Sequence, residues 1–292
     1  MLVCDNCPAM CAGFLSYYGS CVEDVSVDYQ EFIKKIFIKT GIDLSLYKET
    51  QMKRRLTSFY QKYGFQTFAE LLEALDKDRQ LYTAFLDRLT INVSEFFRNR
   101  NRWEFLQKNI LPELFEKKRH LKIWSAACSE GQEPYTIAII VNELTDLKRV
   151  EILATDIDEG ALERAKRGIY QERSLQEVPP TLVKKYFTKT NEGFAVNKKL
   201  KTAVMFKKHN LLGDPYPRNL DLIVCRNVLI YFTEEAKDQI FRRFNESLQM
   251  DGILFVGSTE QIFYPAQYGF TQVDTFFYKK TKNLTNPYSK RS

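Results

Sequence analysis

The strongest structural signal in this chain lies in Ile123-Trp-Ser-Ala-Ala-Cys-Ser-Glu-Gly-Gln-Glu-Pro-Tyr135 and in Ile152-Leu-Ala-Thr-Asp-Ile-Asp158, which follows shortly afterwards. The first segment predicts a short apolar strand, a loop around Gly131 and a helix that begins near Pro134. The second predicts a strand that ends in Asp156. In such a unit the backbone N–H groups of the turn approach a ligand, and the carboxylate can accept hydrogen bonds from two ribose hydroxyls. The pattern therefore predicts a nucleotide-type ligand site, although an ordinary βαβ unit with a charged helix start would look similar.

The composition of the loop restricts the ligand. Gly131 is its only glycine, whereas a bound diphosphate needs several glycines for close backbone approach. The loop also carries two carboxylates, Glu130 and Glu133, and no Lys or Arg. Negative charge favours a cationic or neutral adenosine ligand over a phosphate. S-adenosylmethionine, a sulfonium with an ammonium group, meets this requirement.

The overall composition is typical of a soluble globular protein. The length of 292 residues predicts about two domains. Hydrophobic residues make up 44% of the chain and charged residues 27%. No apolar run approaches the roughly 20 residues that a membrane-spanning helix needs, and the N-terminus lacks the features of a signal peptide. We therefore expect a cytoplasmic protein that does not insert into a membrane.

Cysteine and histidine usage disfavours metal chemistry. Four cysteines lie within the first 21 residues, with a spacing that resembles a metal ligand set: Cys4, Cys7, Cys11 and Cys21. Because this segment contains no histidine and no strand or helix pattern, an extension outside the fold is the favoured interpretation. Cys128 and Cys225 are expected to be packing thiols. With only His120 and His209 in the chain, a histidine-based zinc hydrolase or a Ser–His–Asp triad is disfavoured.

Hydrophobic periodicity changes along the chain. The first part has apolar residues at helical spacing, such as Met52, Leu56 and Phe59, whereas strand and helix patterns alternate from Leu121 onwards. This alternation predicts an α/β fold with a largely parallel, doubly wound sheet. The expected organisation is an N-terminal extension (1–25), a helical domain (26–95), a junction with a linking helix from about Trp103 to Lys118 (96–120), an α/β domain (121–282) with an inserted β-subdomain (about 168–203), and a disordered tail (283–292). Strands are expected near 121–127, 150–156, 204–209, 220–226, 252–257 and 270–280, and helices near 134–145, 159–167 and 233–249.

Three further segments complete the predicted site. They are Leu89-Thr-Ile-Asn-Val-Ser-Glu-Phe-Phe-Arg98, His209-Asn-Leu-Leu212 and Asp221-Leu-Ile-Val-Cys-Arg-Asn-Val-Leu-Ile-Tyr-Phe232. Open α/β sheets bind ligands at the carboxyl ends of their strands. These segments are therefore expected to converge on one cleft.

Together, the segments resemble the CheR family of chemotaxis receptor glutamate methyltransferases. The resemblance covers residues from about 26 to 280 and rests on N-x-[ST]-x-F-F-R, E-x-x-E-P-Y-[ST]-I-A, A-T-D-I-D and R-N-V-x-I-Y-F. It implies an N-terminal helical domain and a Rossmann-like sheet domain that carries a small β-subdomain. It also implies S-adenosylmethionine as the methyl donor, S-adenosylhomocysteine as the product and no metal.

The resemblance assigns roles to individual residues. The implied cofactor contacts are Asn92, Ser94, Arg98, Glu133, Asp156, Asn210, Leu211, Arg226 and Asn227. Arg98 and Tyr231 are expected to line the position of methyl transfer and are the predicted catalytic residues. Three structural alternatives stand beside these roles: a junction salt bridge for Arg98, core packing for Tyr231 and Phe232, and a helix-entry cap for Asn227.

A basic face is the expected docking surface. Between Lys48 and Lys62 the sequence contains only one acidic residue and five basic residues, which make up this face: Lys48, Lys53, Arg54, Arg55 and Lys62. The family resemblance suggests docking on the acidic helical bundle of a chemoreceptor, with recruitment to membrane receptor arrays, while simple solvation is the alternative. The loop at 188–195 is short compared with family members that bind a receptor's C-terminal pentapeptide. Binding without such a tether is therefore predicted.

Two other functions are alternatives to this interpretation of the sequence. A nucleic-acid methyltransferase is disfavoured by the small basic footprint and by the lack of an N-P-P-Y motif after the strand at 220–226. Asp214-Pro-Tyr-Pro217 resembles that motif but has no double proline. A non-catalytic module that senses S-adenosylmethionine is disfavoured by the presence of Arg98, Asp156 and Tyr231.

Overall fold

The computed structural model describes residues 28–90 and 94–284, and the chain divides between Leu89 and Thr90 into two compact units. This division lies a few residues before the boundary expected at residue 95. The four N-terminal cysteines, Asn92 and the residues after 284 lie outside the described parts of the chain.

The N-terminal unit is helical, as predicted. Within residues 28–90 it contains four α-helices: α1 (28–40), α2 (Glu49–Lys62), α3 (Phe68–Lys77) and α4 (Arg79–Leu89). Gly41 and Gly64 follow α1 and α2 with φ of 72° and 83°, the left-handed conformation that ends helices. Aromatic rings fill the core, where Phe68 contacts Phe32 and Tyr60 at centroid distances of 4.9 and 5.1 Å.

The C-terminal unit alternates strands and helices. Its strands are β1 (Leu121–Ala126), β2 (Val150–Asp156), β3 (Ile169–Tyr170), β4 (Phe187–Thr190), β5 (Gly193–Val196), β6 (Val204–Lys208), β7 (Leu220–Cys225), β8 (Leu248–Val256), β9 (Phe270–Asp274) and β10 (Phe277–Lys280). Its helices are α5 (Arg100–Phe105), α6 (Leu111–Lys117), α7 (Gln132–Leu144), α8 (Glu159–Arg167), α9 (Pro180–Tyr186), α10 (Lys198–Ala203) and α11 (Glu234–Ser247). None of the helices in residues 28–90 and 94–284 is both long and apolar enough to cross a membrane.

Seven of the strands form one sheet in the order β6-β2-β1-β7-β8-β10-β9. The five strands from β6 to β8 are parallel, whereas β10 is antiparallel to both β8 and β9. The central strand β7 is buried along its whole length, as expected for a strand that helices cover on both faces. The chain order reverses between β1 and β7, and this switch point opens a crevice at the carboxyl ends of the strands.

Some sequence-based boundaries were wrong. The segment 270–280 forms two strands, because Phe276 at φ 72° turns the chain between β9 and β10. The helix after β1 begins at Gln132, before Pro134, since Gly131 at φ 89° is its N-cap. The linking helix begins at Arg100, before Trp103. A π-helical turn, Leu106–Ile110, separates it into α5 and α6.

The inserted β-subdomain is confirmed. It contains a three-stranded sheet in the order β3-β5-β4, and β4 and β5 form a hairpin closed by the pair Thr190 and Gly193. The helix α9 that precedes the hairpin begins at Pro180, where a proline fits the first helical position.

Candidate active site

The loop after β1 has an unusual backbone. Ala127 and Ser129 adopt left-handed conformations, with φ of 61° and 50°, and Gly131 follows with φ of 89°. Left-handed residues other than glycine cost free energy and cluster at functional sites. A Cβ atom on Gly131 would lie 2.8 Å from the Cβ of Ala165 in α8, so only glycine permits this packing. The single glycine recognised in the sequence is therefore needed both for its conformation and for its small size.

Asp156, at the carboxyl end of β2, holds this loop in place. Its carboxylate accepts the N–H of Ser129 at 2.7 Å and the N–H of Asp158 at 3.0 Å. Burial raises the pKa of Asp156 to about 6, against the opposing effect of these hydrogen bonds. A carboxylate offers about four lone-pair sites. Asp156 therefore orders the turn and still has acceptor capacity for ligand hydroxyls.

Glu133 lies in the first turn of α7. Its Oε1 accepts a hydrogen bond from the Ser125 hydroxyl at 2.8 Å. Burial raises the pKa of Glu133 to about 7, although the charge of Arg226 and the Ser125 hydrogen bond lower it. A cationic group beside Glu133 would favour the ionised form, so this position suits an ammonium group.

Arg226, directly after β7, is buried between two aromatic rings. Its guanidinium carbon lies 5.1 Å from the Trp103 ring centroid and 4.8 Å from that of Phe255. Its Nη2 donates to the carbonyl of Arg98 and to Oδ1 of Asn99, each at 3.0 Å. Its Nε is buried and has no hydrogen-bond partner among the described residues. Arg226 thus braces the backbone of the segment that carries Arg98.

The backbone around Arg98 is fixed in an unusual conformation. Phe97 and Asn99, on either side of it, are left-handed with φ of 54° and 61°. The carbonyl of Arg98 also accepts a hydrogen bond from Nε1 of Trp103 at 3.0 Å. The side chain of Arg98 is half-buried, and the local backbone geometry fixes the point from which this side chain extends. Strain of this kind persists only where the surrounding structure enforces it.

Glu260 is a site residue that the sequence analysis missed. Its buried carboxylate accepts hydrogen bonds from the N–H groups of Asn227, Leu229 and Gly257 at 2.7, 2.6 and 2.8 Å. It therefore fixes the loop that carries Arg226, Asn227 and Tyr231. The available signal was Gly257-Ser-Thr-Glu260, a carboxylate four residues after the end of the apolar strand β8.

Two of the structural alternatives can now be judged. Asn227 is left-handed, with φ of 62°, and the N-cap of α11 is Thr233, so the helix-entry cap interpretation was wrong. Phe232 is buried, which confirms core packing for that ring. Tyr231 is half-buried in the 3₁₀ turn Leu229–Tyr231, and Ser94 is also half-buried.

Asn210 and Leu211 lie in the loop after β6. The N–H of His209 donates to the carbonyl of Asp156 at 2.9 Å, which joins this loop to the end of β2. The carbonyl of Leu211 accepts hydrogen bonds from the Tyr216 hydroxyl and from Nη1 of Arg243, both at 2.8 Å. Tyr216 of the Asp-Pro-Tyr-Pro segment therefore has a structural role, which agrees with discounting that motif.

The basic face lies on the N-terminal unit and is only partly exposed. Arg54 and Lys62 are exposed on α2, while Lys48 is half-buried just before it. The ammonium group of Lys53 lies 5.4 Å from the centroid of the Tyr29 ring, and Nε of Arg55 donates to the carbonyl of Arg88. Lys53 and Arg55 thus also stabilise their own unit.

The arrangement at the strand ends fits S-adenosylmethionine. Two carboxylates at this edge, the buried Asp156 and the half-buried Glu133, offer acceptors of the kind that ribose hydroxyls and an ammonium group require. The crowded turn at Gly131 leaves no glycine-rich cradle for a diphosphate. In the described parts of the chain, His, Cys, Asp and Glu side chains form no group of three or more that could hold a metal.

Comparisons with known proteins agree with this geometry. The family model described as CheR methyltransferase, SAM binding domain, matches residues 92–277, and the model described as CheR methyltransferase, all-alpha domain, matches residues 27–90. A protein of Listeria monocytogenes named chemotaxis protein methyltransferase is 45% identical over 89% of this chain and 100% of its own length. Proteins of the same name from Borreliella burgdorferi and Salmonella typhimurium are 37% and 33% identical, each over 80% of this chain and over 88% and 83% of their own lengths. The chain therefore belongs to the CheR family and is an S-adenosylmethionine-dependent methyltransferase.

Proposed function

We propose that this protein transfers a methyl group from S-adenosylmethionine to glutamate side-chain carboxylates of chemoreceptors, giving glutamyl methyl esters for chemotactic adaptation. The observation that carries the proposal is the 45% identity to a chemotaxis protein methyltransferase across its whole length. The protein would work in the cytoplasm, recruited to membrane receptor arrays.

Different residues at the strand ends would bind different parts of S-adenosylmethionine. Asp156 would hold the ribose, Glu133 the ammonium group, and Asn210 with Leu211 the adenine. The other proposed cofactor contacts are Asn92, Ser94, Arg98, Arg226 and Asn227. The structure supports a bracing role for Arg226, whose guanidinium donates to the carbonyl of Arg98, while the backbone N–H of Asn227 donates to the carboxylate of Glu260.

The chemistry requires little from the protein beyond positioning. A glutamate side chain has a pKa of roughly 4.3, so at neutral pH it is already the nucleophile and needs no general base. When bound, S-adenosylmethionine supplies a methyl group whose C–S bond breaks as the carboxylate oxygen forms the new C–O bond, leaving S-adenosylhomocysteine. Alignment and exclusion of water can lower the barrier by about 7–11 kcal/mol. Arg98 would hold the substrate carboxylate by a charge-assisted hydrogen bond, and Tyr231 would line the same position.

Replacement of Arg98 tests the proposed catalytic group. Arg98→Ala should lower kcat/KM for a receptor fragment by about 10- to 100-fold, the loss of one hydrogen bond to a charged group. Arg98→Lys should keep part of the activity, because it retains the charge. Arg100→Ala, on the exposed start of α5, is the matched control and should change little. Unchanged turnover in Arg98→Ala would remove this residue from the mechanism.

The pH dependence of cofactor binding tests Glu133. Its pKa is about 7 in the free protein, and only the ionised form attracts an ammonium group. Affinity for S-adenosylhomocysteine should therefore fall below pH 7, by roughly tenfold per pH unit for one group. Protonation of Asp156, whose pKa is about 6, should make the decrease in affinity steeper only at lower pH. Glu133→Gln should bind more weakly and lose the pH dependence near 7, which calorimetry can measure.

Stability provides the control for that variant. The folded-state pKa of Glu133 lies above the ordinary glutamate value of 4.5, so its contribution to stability is present below pH 4.5 and is lost as the pH rises through about 7. Glu133→Gln should therefore melt no lower than the wild type at pH 8. A lower melting temperature, together with weaker binding, would indicate damage to the fold and contradict the assigned role.

Salt dependence tests docking through the basic face. Screening weakens attraction between exposed charges, so KM for the receptor should rise with ionic strength. Arg54→Glu combined with Lys62→Glu should raise KM further, whereas the same change at exposed Lys77 on α3 should not. A KM that is insensitive to salt and to these substitutions would contradict docking at this surface.

Peptide mapping of a methylated receptor fragment tests the substrate assignment. Mass spectrometry should locate the added methyl group on glutamate residues of the helical bundle. A fragment without its C-terminal pentapeptide should be methylated equally well, because the hairpin between β4 and β5 is short. Methyl groups on lysine would contradict glutamate as the acceptor. Methylation that depends on the pentapeptide would contradict binding without a tether.

A further inference from the structure

A cavity of about 690 Å³ opens on the C-terminal unit, behind the turn between β1 and α7 that contains Gly131. It lies between α7, α8, the end of β5, α10 and β6. Its lining combines three lysines with aromatic and aliphatic side chains: Lys166, Lys198, Lys201, Thr202, Tyr135, Val196, Val204 and Phe206. None of these lining residues is acidic, and none was assigned to the methyl-transfer site.

The cavity lies in the most basic part of the chain. Residues 164–208 contain 12 Lys and Arg against 3 Glu, a net charge of +9, while the whole chain carries +6. This segment therefore accounts for the entire positive excess of the protein.

The three lysines are not neutralised by buried carboxylates. Nζ of Lys201 donates to the carbonyl of Arg167 at 2.8 Å, and Lys198 is exposed. Lys166 pairs with Glu163 at 2.6 Å, but both side chains are about half exposed or more, so the pair contributes little. Each ammonium group has three donors, so most of this donor capacity remains for an anion.

We propose that this cavity binds a nucleotide, with its phosphates on Lys166, Lys198 and Lys201 and its base against the apolar wall. Lysines are point charges that suit phosphate oxygens. An aromatic and aliphatic wall suits a flat ring, and the cavity volume falls within the usual range of roughly 300–1,000 Å³ for small-molecule sites. A ligand that had only phosphates would not contact the apolar wall, and a ligand that had only a ring would not contact the lysines.

The cavity wall contacts the turn that contains Gly131. A Cβ atom on Gly131 would lie 3.3 Å from a ring carbon of Phe206, and the Tyr135 and Phe206 rings are 5.7 Å apart. The hydroxyl of Tyr135 donates to the carbonyl of Ala165, the residue packed against Gly131. A nucleotide that packs against Phe206 would therefore change the position of the turn at Gly131. Such coupling is reciprocal, so it can be measured from either ligand.

Binding of nucleotides to the full chain tests the proposal. S-adenosylhomocysteine should be present at saturation, so that ATP and GTP cannot report binding at the methyl-donor site. We expect saturable binding of ATP or GTP under these conditions, and at least tenfold weaker binding of inorganic phosphate. Lys198→Glu should weaken nucleotide binding at least tenfold. Lys199→Glu is the matched control, because the neighbouring exposed lysine does not line the cavity.

The remaining outcomes overturn the proposal. Absence of saturable nucleotide binding, or equal binding by Lys198→Glu and the wild type, would show that the cavity is not a nucleotide site. Equal affinities for phosphate and nucleotide would exclude a role for the apolar wall. If Lys198→Glu changed only KM for a receptor fragment, the rim would instead dock an acidic protein. An unchanged Kd for S-adenosylhomocysteine with and without nucleotide would refute the coupling.

Discussion

Asp156→Ala should lower the affinity for S-adenosylmethionine and S-adenosylhomocysteine by at least about 100-fold. The substitution would remove the proposed ribose acceptor and would also leave the N–H groups of Ser129 and Asp158 without their carboxylate. Each buried donor left unpaired costs about 1–3 kcal/mol, and each 1.4 kcal/mol corresponds to a tenfold change in affinity. Since Ala127 and Ser129 are left-handed, the loop would relax away from its binding conformation. Calorimetric titration would measure the change.

Two variants separate ligand recognition from support of the loop. Asp156→Asn keeps one acceptor oxygen and the size of the side chain, so it should bind more tightly than Asp156→Ala but more weakly than the wild type. Glu151→Ala, at an exposed position of the same strand β2, should bind like the wild type. An affinity of Asp156→Ala within a few-fold of the wild type would show that the ribose is bound elsewhere.

Glu260→Ala should destabilise the protein by about 3–6 kcal/mol. Three backbone N–H groups would lose their acceptor in a buried region. A Cβ on Gly257 would also collide with the Glu260 carboxylate and with the N–H of Asn227, which shows how tightly this loop is packed. Chemical denaturation would measure the free energy of unfolding, and Glu246→Ala on the exposed side of α11 is the control.

A second variant tests the positioning role if Glu260→Ala does not fold. Glu260→Gln keeps the shape and one oxygen but turns an amide group towards an N–H, so it should fold with a smaller loss of stability. Because the loop from Arg226 to Tyr231 depends on this side chain, the variant should also bind S-adenosylhomocysteine more weakly. Normal binding and normal turnover in a stable Glu260→Gln would limit Glu260 to a structural role outside the site.

Much of the fold follows from local patterns in the sequence. Apolar runs such as Leu220–Cys225 predicted the central strands, and Gly131 marked the turn between β1 and α7. The hairpin between β9 and β10 was missed because its left-handed turn residue is Phe276, which carries none of the usual turn signals. Tertiary packing, and not local preference, imposes that conformation.

The contacts within the site were less predictable. Glu260 acts on N–H groups some thirty residues earlier, and no spacing in the sequence records such a contact. Arg226 was recognised as a site residue, but its observed partners, the Arg98 carbonyl and Asn99, depend on the fold. The lysine cavity was missed for a similar reason, since its residues come from five separate elements.

Transfer of labelled methyl from S-adenosylmethionine to a chemoreceptor signalling fragment, followed by mild alkali, tests the central claim most directly. Ester formation on glutamate predicts that the wild-type protein labels the fragment and that alkali releases the label as volatile methanol. Arg98→Ala should label it much more slowly. Label that stays on the fragment after alkali would place the methyl group on nitrogen or carbon, and it would contradict glutamate as the acceptor.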